Sequence, residues 1–233
     1  MVEAAGMMKD PHCRKHDTST PPRRRVMLVD DHPTFRLGLR ALFETCADLV
    51  VCAEAGDIAS ARRQIRAHLP EVVLVDLGLG RDCGLDLVAE LARDDPTLPV
   101  LVLSMRDEGL YAERALQAGA RGYLMKHTPG AQIVAAIAQV LAGQVVLSPS
   151  VTQRIIQRRL PGKITDDSPL SRLSNRQLQV FEHLGCGRQT RDIAVQMYIS
   201  SKTVETHIAA IKRRLGVTRL EEVRRQAAVW VNA

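Results

Sequence analysis

Polar side chains stand at the ends of four short apolar runs in the first half of the sequence, and together they could perform phosphoryl chemistry. Asp30 and Asp31 end the first run, Asp76 the third and Ser104 the fourth, and Lys126 follows the fifth. Three carboxylates in one crevice repel each other, and bound Mg²⁺ would relieve that repulsion. A carboxylate beside Mg²⁺ can attack a phosphoryl group, because the metal and an ammonium neutralise the transferred oxygens. We therefore expect Asp76 as nucleophile, Lys126 as the ammonium and Ser104 as a hydroxyl donor.

Two other interpretations compete for these residues. An aspartate after a strand commonly caps a helix or a turn, which would explain any one of these positions alone but explains all of them together less well. The glycines after Asp76 almost spell a dinucleotide-binding loop, G-x-G-x-x-G, but Cys83 stands where the third glycine must be. The pattern therefore favours a carboxylate site over a nucleotide loop.

The apolar runs predict the elements that must position these side chains. Short buried strands are expected at residues 26–29, 49–53, 72–75, 99–103 and 122–125, and helices at 33–46, 57–68, 84–94, 107–119 and 130–142. A repeated strand–helix unit predicts the α/β class, with a doubly wound, five-stranded parallel sheet. Loops at the carboxyl ends of such strands converge, so residues distant in sequence share one site there.

The second half of the sequence predicts helices alone. A connecting helix at about 149–160 and a polar linker at 161–169 precede helical stretches at about 174–186, 190–197, 201–215 and 219–231. Ser174 and Gln177 form a capping box for the first of these four. The expected domains are a flexible tail (1–25), an α/β domain (26–143), a connecting helix and linker (144–170) and a small four-helix domain (171–233).

The stretch 201–215 predicts an amphipathic helix that could bind DNA. Val204, Ile208, Ile211 and Leu215 form one apolar stripe. A short helix and a turn precede it, which is typical of helix-turn-helix, although a solvated basic face is the ordinary alternative. The residues proposed to meet DNA, with long cations for phosphates and shorter side chains for base edges, are Lys202, Thr203, Glu205, Thr206, His207, Ala209, Lys212 and Arg213.

Charge and cysteine content bound the partners and the compartment. Residues 26–143 carry 11 Lys and Arg against 16 Asp and Glu, a balance of −5, whereas residues 171–233 carry 11 against 5, a balance of +6. This split suggests that the second domain meets a polyanion and that the two domains dock, hiding the basic face; independent domains on a tether are the alternative. The five cysteines form no Cys-x-x-Cys pair, and no signal-peptide core or membrane span is evident. We expect a cytoplasmic protein without a membrane partner.

Residues 26 to about 143 resemble the receiver domain of bacterial two-component response regulators. The segments "LVDDHP", "VLVDL", "LVLS" and "GYLMK" are similar to that family's acidic pair, phospho-acceptor, switch hydroxyl and lysine, and Gly84 also fits its pattern. The resemblance implies that Asp76 accepts a phosphoryl group from a sensor histidine kinase, with Mg²⁺ held by Asp31, Asp76 and the Gly78 carbonyl. Asp30 completes the acidic pair, and Tyr123 would move inward as a switch. Leu79 and Gly80 replace the family's usual Met-Pro, so the loop is looser.

Residues 171–233 resemble the four-helix DNA-binding domain of the nitrate- and nitrogen-fixation-regulator (NarL/FixJ) type, with a LuxR-type helix-turn-helix. "LSNRQLQVFEHL", "DIAVQMYISSKTVETHI" and "RRLGV" carry the likeness. By position, Glu205, Thr206 and Ala209 would face bases, and Lys202, His207 and Lys212 would lie near the backbone. The last helix, 219–231, would pair two copies of this domain, or Trp230 would pack only within its own domain.

The expected function is a phosphorylation-controlled transcription regulator that is not an enzyme. Its partners would be a sensor histidine kinase, double-stranded DNA, a second copy when active and RNA polymerase. The second hypothesis is a DNA-binding regulator whose receiver accepts no phosphate. A phosphatase with an aspartate nucleophile is the third, disfavoured because its general acid would stand at position 78, which is glycine.

Overall fold

The computed structural model describes residues 23–80, 82–159 and 169–231, and the first half is an α/β domain. Its elements in chain order are β1 (Arg24–Val29), α1 (Pro33–Glu44), β2 (Leu49–Ala55), α2 (Ile58–His68), β3 (Val72–Val75), β4 (Gly78–Leu79), β5 (Asp82–Cys83), α3 (Gly84–Asp94), β6 (Val100–Ser104), α4 (Glu108–Ala118), β7 (Gly122–Met125) and α5 (Gly130–Leu141).

Five of these strands form one parallel sheet in the order β2-β1-β3-β6-β7. The predicted doubly wound sheet is confirmed. Strand β2 is added on one side of β1 and strand β3 on the other, so the strand order reverses between β1 and β3. In sheets of this kind, ligands bind in the crevice outside the carboxyl ends of the strands at that reversal. Asp30 and Asp76 stand directly after these two strands.

The sheet is buried on both faces because its side chains alternate between two apolar layers. Met27 and Val29 of β1 point into the layer that includes residues of α2, α3 and α4, whereas Val26 and Leu28 point into the layer formed with α1 and α5. These four side chains are at most 1% exposed. This double burial explains why the strands appear in the sequence as continuous apolar runs.

The structure differs from the sequence-based prediction at three places. Strand β1 begins at Arg24, inside the expected tail, because the Arg24 N–H donates to the Asp48 carbonyl at 2.7 Å. The short antiparallel hairpin of β4 and β5 was not predicted. Val146, expected in the connecting segment, bridges to Gly122 at the edge of the sheet. The rest of the predicted tail, residues 1–22, the last residue of the predicted connecting helix, residue 160, and most of the polar linker, residues 161–168, lie outside the described residues.

The second half is helical, as predicted. It contains α6 (Pro149–Arg159), a 3₁₀ helix (Pro169–Arg172), α7 (Asn175–Gly185), α8 (Thr190–Gln196), α9 (Ser201–Leu215) and α10 (Leu220–Val231). The capping box of Ser174 and Gln177 forms at the start of α7. Helix α6 lies against α4, where the Ser148 and Ser150 hydroxyls donate to Glu108 at 2.7 and 2.8 Å. In the part of the chain that the structure describes, no helix is both long and apolar enough to cross a membrane.

Candidate functional site: an acidic pocket and a helix-turn-helix

The two aspartates at the sheet crevice are fixed by the sheet itself. The Asp30 N–H donates to the Ala55 carbonyl at 3.0 Å, and the Asp76 N–H donates to the Val29 carbonyl at 2.8 Å. Both residues are only 4% exposed. Each backbone therefore continues the hydrogen-bond pattern of its strand, while the carboxylate projects beyond the strand end into a largely buried site.

Lys126 joins these two carboxylates. Its Nζ lies 2.7 Å from Asp30 Oδ2 and 2.7 Å from Asp76 Oδ2, and its side chain is 6% exposed. The Lys126 N–H donates to the Ser104 carbonyl at 2.9 Å, which ties the lysine to the end of β6, and Nζ lies 4.8 Å from the centre of the Phe35 ring. Because charges buried at this depth need partners, the ammonium is the main compensation for the two buried carboxylates.

The ligand set fits a hard divalent cation. One ligand atom each of Asp30, Asp31, His32 and Asp76 lies within 4.8 Å of the others. Asp31 Oδ2 accepts the Gly80 N–H at 3.1 Å, whereas the solvent-shielded Asp31 Oδ1 accepts no well-aligned hydrogen bond among the described residues, although His32 Nδ1 lies 2.7 Å from it. Carboxylate oxygens are the ligands that Mg²⁺ prefers. Three carboxylates whose ligand atoms lie this close together are therefore consistent with a cation site.

Two glycines near Asp76 are required by close approach and by backbone conformation. A Cβ on Gly84 would lie 2.2 Å from the Asp76 carbonyl oxygen and 2.6 Å from the Leu77 Cα, so no larger residue fits there. Gly80 has φ of +58°, in the left-handed region that favours glycine, and this conformation belongs to the loop whose N–H reaches Asp31. Gly78 also borders the site, with its ideal Cβ position 3.4 Å from Asp76 Oδ2.

Ser104 and Tyr123, the proposed switch pair, are linked through Arg106. The Arg106 N–H donates to Ser104 Oγ at 3.3 Å, and the Tyr123 hydroxyl donates to the Arg106 carbonyl at 2.7 Å. Both Ser104 and Tyr123 are 1% exposed, and burial raises the pKa of the Tyr123 phenol. The sequence predicted that Tyr123 would move inward on phosphorylation. The ring already lies inside in this structure, and its movement on phosphorylation stays a prediction.

Helix α9 has the shape that the sequence predicted for a recognition helix. Ser200 Oγ accepts the Thr203 N–H at 3.0 Å as the N-cap, and Gly216 ends the helix with φ of +69°. Val204, Ile208 and Ile211 are buried. The residues predicted to meet DNA stay accessible: Lys202, Thr203, Glu205, Thr206, Ala209 and Arg213 are exposed, and His207 and Lys212 are half-buried.

Two of these side chains have local partners that affect how they could meet DNA. The Thr206 hydroxyl donates to the Lys202 carbonyl at 2.9 Å, so its methyl group and its lone pairs remain for a base edge. The pKa of His207 is lowered by burial and by the nearby Arg176, which favours the neutral ring. A neutral His207 can donate a hydrogen bond to a phosphate but adds no charge.

Trp230 of α10 packs within its own domain. It is half-buried and contacts the apolar core, and together with Leu170, Phe181, Leu215 and Val229 it lines a groove of about 410 Å³. Helix α10 approaches α7 closely, since a Cβ on Gly185 would lie 2.6 Å from the Ala227 carbonyl oxygen. The intradomain alternative for Trp230 therefore has a structural basis, and pairing through α10 stays a prediction.

The two domains touch, but not through the surfaces that net charge predicted. Arg106 of the α/β domain pairs with Glu182 of α7, and Arg114 of α4 donates to Asn175 Oδ1 at 3.1 Å and to the Leu170 carbonyl at 3.0 Å. The cations thus come from the domain with net negative charge. The expectation that docking hides the basic face is wrong, because most of the α9 side chains that are predicted to meet DNA stay exposed.

The sequence reasoning missed His32, Arg106 and Glu182. His32 Nδ1 lies 2.7 Å from Asp31 Oδ1 and 3.4 Å from Lys126 Nζ. Its place directly after the acidic pair was a usable signal. Arg106 and Glu182 had no signal, since their pairing joins residues 76 positions apart across two domains.

Comparison with known proteins agrees with this geometry. Residues 26–138 match the family model of the response regulator receiver domain, and residues 171–227 match that of the bacterial regulatory proteins of the luxR family. The chain is 36% identical over 193 residues to the nitrate/nitrite response regulator protein NarP of Escherichia coli, covering 83% of this chain and 89% of that protein. It is 33% identical to the probable transcriptional regulatory protein NarL of Mycobacterium tuberculosis, covering 85% and 90%.

Solved structures show the same relationship. A LuxR-family two-component response regulator from Aurantimonas sp. SI85-9A1 is 36% identical with a TM-score of 0.55, covering 59% of this chain and 98% of that chain. The receiver domain of the Mycobacterium tuberculosis protein NarL is 35% identical with a TM-score of 0.51, covering 53% and 100%. With an acidic pocket at the switch point of the sheet and a helix-turn-helix behind it, the chain belongs to the NarL/FixJ-type two-component response regulators, which are DNA-binding transcription regulators.

Proposed function

We propose that Asp76 accepts a phosphoryl group from the phosphohistidine of a sensor histidine kinase and that this modification controls DNA binding through α9. The observation that supports this most is the contact of one buried ammonium with two buried carboxylates at the strand ends. In this reaction an Asp76 Oδ attacks phosphorus and forms the O–P bond. The P–N bond breaks, and its electron pair leaves with the imidazole of the donor.

The residues around Asp76 each have a role in this proposal. Lys126 Nζ, 2.7 Å from Asp76 Oδ2, would stay beside the oxygens of the transferred group and neutralise them. The buried Ser104 hydroxyl would donate to the phosphoryl group. Asp30, Asp31, Asp76 and the Gly78 carbonyl would hold Mg²⁺, which, when bound, offsets the negative charge that gathers as the donor approaches.

The output is proposed to be sequence-specific binding of double-stranded DNA. Glu205, Thr206 and Ala209 stand exposed on one side of α9, where they can reach base edges. Lys202, Thr203, His207, Lys212 and Arg213 flank them as candidates for contacts to the DNA backbone. The active form is proposed to be a homodimer that assists or obstructs RNA polymerase.

The three segments of the chain are proposed to have separate roles. Residues 26–143 would act as the receiver, residues 144–170 as connecting helix and linker, and residues 171–233 as the DNA-binding domain. The family matches at 26–138 and 171–227 lie within the first and last of these segments. Position 78, where a phosphatase would carry its general acid, is glycine, so hydrolysis of foreign phosphates is not proposed.

Intact mass after incubation with acetyl phosphate and Mg²⁺ tests phosphorylation. We expect one phosphoryl adduct on the full chain and none on Asp76→Asn. Asp86→Asn is the matched control, since Asp86 is an exposed aspartate of the same domain and should leave the adduct unchanged. If the wild-type chain forms no adduct, phosphorylation is refuted and the second hypothesis, a regulator whose receiver accepts no phosphate, takes its place.

A further inference from the structure

A cleft lies between the two domains, directly over the acidic pocket. It has a volume of about 710 Å³. Its floor includes Asp31, Gly78 and Gly80 of the receiver, and its opposite wall includes His183 of α7 and Tyr198 of the turn after α8. In this arrangement the DNA-binding domain forms a roof over the crevice that contains Asp76.

A partly buried ion pair joins the two domains beside this cleft. The Arg106 guanidinium contacts Glu182 of α7 and also donates to the Tyr111 hydroxyl at 2.8 Å. The side chains of Arg106 and Glu182 are only 20% and 18% exposed, and burial raises the pKa of Glu182 even though Arg106 opposes that shift. A partly buried pair is screened less by salt than an exposed one, and removal of either partner leaves the other without its opposite charge.

Apolar contacts support the same arrangement. A single cluster of buried side chains runs from Tyr111 of α4 through Leu170 and Leu173 to Phe181 of α7. Arg114 adds two hydrogen bonds to the far domain. The roof is therefore held by apolar packing and by hydrogen bonds, and the Arg106–Glu182 ion pair is the polar contact between the domains that lies nearest the pocket. We refer to that pair as the latch.

The latch is connected to the switch residues. The Arg106 N–H donates to Ser104 Oγ, and the Arg106 carbonyl accepts the Tyr123 hydroxyl. The Ser104 hydroxyl can accept the Arg106 N–H and still donate its own proton to a phosphoryl group on Asp76. The switch residues and the latch therefore share one short segment, and a small phosphodonor can react while the latch is closed.

We propose that the roof sorts phosphodonors by size, so that small phosphorylated molecules reach Asp76 while the domains are docked and a protein-borne phosphohistidine requires the latch to open. This inference rests on the proposed function of Asp76. A space of about 710 Å³ is ample for a molecule such as acetyl phosphate. A helix with its side chains is about 10–12 Å across, and a bundle of helices cannot enter such a space.

The geometry also assigns the latch a place in the order of events. A phosphohistidine side chain is short, so the helix that carries it must touch the rim of the crevice. Part of that rim is covered by α7 and by the turn after α8. A kinase would therefore meet only the fraction of molecules in which the latch is open, and its apparent efficiency falls by that fraction.

Thiol labelling at position 76 tests the roof without any kinase. Asp76→Cys is treated with N-ethylmaleimide or with a maleimide that carries a long polyethylene glycol chain, and peptide mass mapping counts only the modification at position 76. Because a change in the reactivity of the thiol alters the rates of both reagents alike, the ratio of the large-reagent rate to the small-reagent rate reports access alone. We expect Glu182→Ala, added to Asp76→Cys, to raise the ratio of large to small reagent at least fivefold.

The controls keep the test decisive. Glu221→Ala changes a glutamate of the same domain that is exposed on α10, and it should leave the ratio unchanged. Glu182→Gln keeps the shape of the side chain but removes its charge, so it serves if circular dichroism shows that Glu182→Ala perturbs folding. An unchanged ratio in Glu182→Ala and Glu182→Gln, or an equal rise in both rates, overturns the proposal.

The part of the proposal that concerns small phosphodonors is tested on the wild-type chain, which retains Asp76. Acetyl phosphate should phosphorylate the wild-type chain and Glu182→Ala at rates within twofold of each other. A rise of more than fivefold in Glu182→Ala would show that the latch restrains the chemistry and not access, which contradicts the proposal. If neither chain is phosphorylated, the proposed function fails, whereas the labelling ratios still judge the roof.

Discussion

Replacing Lys126 by methionine tests the charge balance of the acidic pocket. Methionine keeps much of the length of the side chain but removes the ammonium that lies 2.7 Å from one oxygen each of Asp30 and Asp76. At that separation and an effective dielectric constant of about 20, each pair contributes roughly 6 kcal/mol of Coulomb attraction before desolvation is counted. Desolvation of the three groups offsets most of this attraction, so we expect a net loss of about 3–5 kcal/mol in the free energy of unfolding.

Urea denaturation measured with and without Mg²⁺ is the assay. Lys126→Met should lose this stability in the absence of the metal and regain a large part of it when Mg²⁺ is added, because the cation replaces the missing charge. A ligand at a hundred times its dissociation constant restores about 2.7 kcal/mol. Lys202→Met, at an exposed lysine of α9, is the matched control and should change stability by less than about 0.5 kcal/mol. A loss below about 1 kcal/mol in Lys126→Met, or no response to Mg²⁺, would refute the reasoning.

Three further predictions follow from the geometry. In urea denaturation, Gly84→Ala should lower the free energy of unfolding by at least about 1–3 kcal/mol, because its Cβ would lie 2.2 Å from a backbone oxygen. Gly38→Ala, whose Cβ would have nothing within 4 Å, should raise the free energy of unfolding by up to about 1 kcal/mol. Equal effects of the two substitutions would contradict this reasoning. Burial lowers the pKa of His183 to about 4 from 6.5, so the unfolded chain binds this proton first and the free energy of unfolding falls as the pH drops from 6.5 to 4. His183→Gln should make that fall less steep. An unchanged slope would exclude His183 as a source of the pH dependence. In DNA titrations, Lys212→Ala should weaken all sequences alike and lower the salt slope by about one, whereas Thr206→Ala should change the preference among sites; uniform effects of both would mean that α9 is misplaced in the groove.

The sheet and the acidic pocket could be predicted from the sequence because local patterns determine them. Runs such as Val72–Val75 are apolar throughout, since both faces of the sheet are covered, and each ends at a polar residue. Once the strands are known to be parallel, their carboxyl ends must meet. The positions of Asp30, Asp76 and Lys126 then follow from topology alone.

The hairpin of β4 and β5 could not be predicted in this way. Each of its strands has two residues, which is too short for any alternation of apolar and polar side chains to appear. The glycines at positions 78 and 80 indicated only a loop. The same glycines suggested looseness, yet the Gly80 N–H is used by Asp31.

The domain contact shows where net charge fails as a guide. The receiver has an excess of carboxylates and the DNA-binding domain an excess of cations, but the pair that joins them is Arg106 with Glu182, of the opposite sense. Net charge describes the average field at a distance, whereas docking depends on the few side chains that touch. The face that docks is consequently α7, and α9 remains accessible.

The inward position that Tyr123 has in this structure could not be predicted from the sequence for a related reason. A tyrosine on β7 fits either a solvent-facing or a buried place in the sequence, and the choice depends on the acceptor that its hydroxyl finds. That acceptor is the carbonyl of Arg106, in the loop after β6. Arg106 also pairs with Glu182 of α7, so this acceptor belongs to a residue that contacts the other domain.

The most direct test of the central claim is DNA affinity as a function of phosphorylation of Asp76. Genome-wide mapping supplies a bound DNA fragment, and its affinity for the full chain is measured at fixed salt with and without acetyl phosphate and Mg²⁺, in parallel with Asp76→Asn. Phosphorylation of Asp76 should tighten binding of the wild-type chain at least fivefold and leave Asp76→Asn unchanged. Equal affinity of phosphorylated and unphosphorylated wild-type chain, with the adduct verified by mass, would contradict the account.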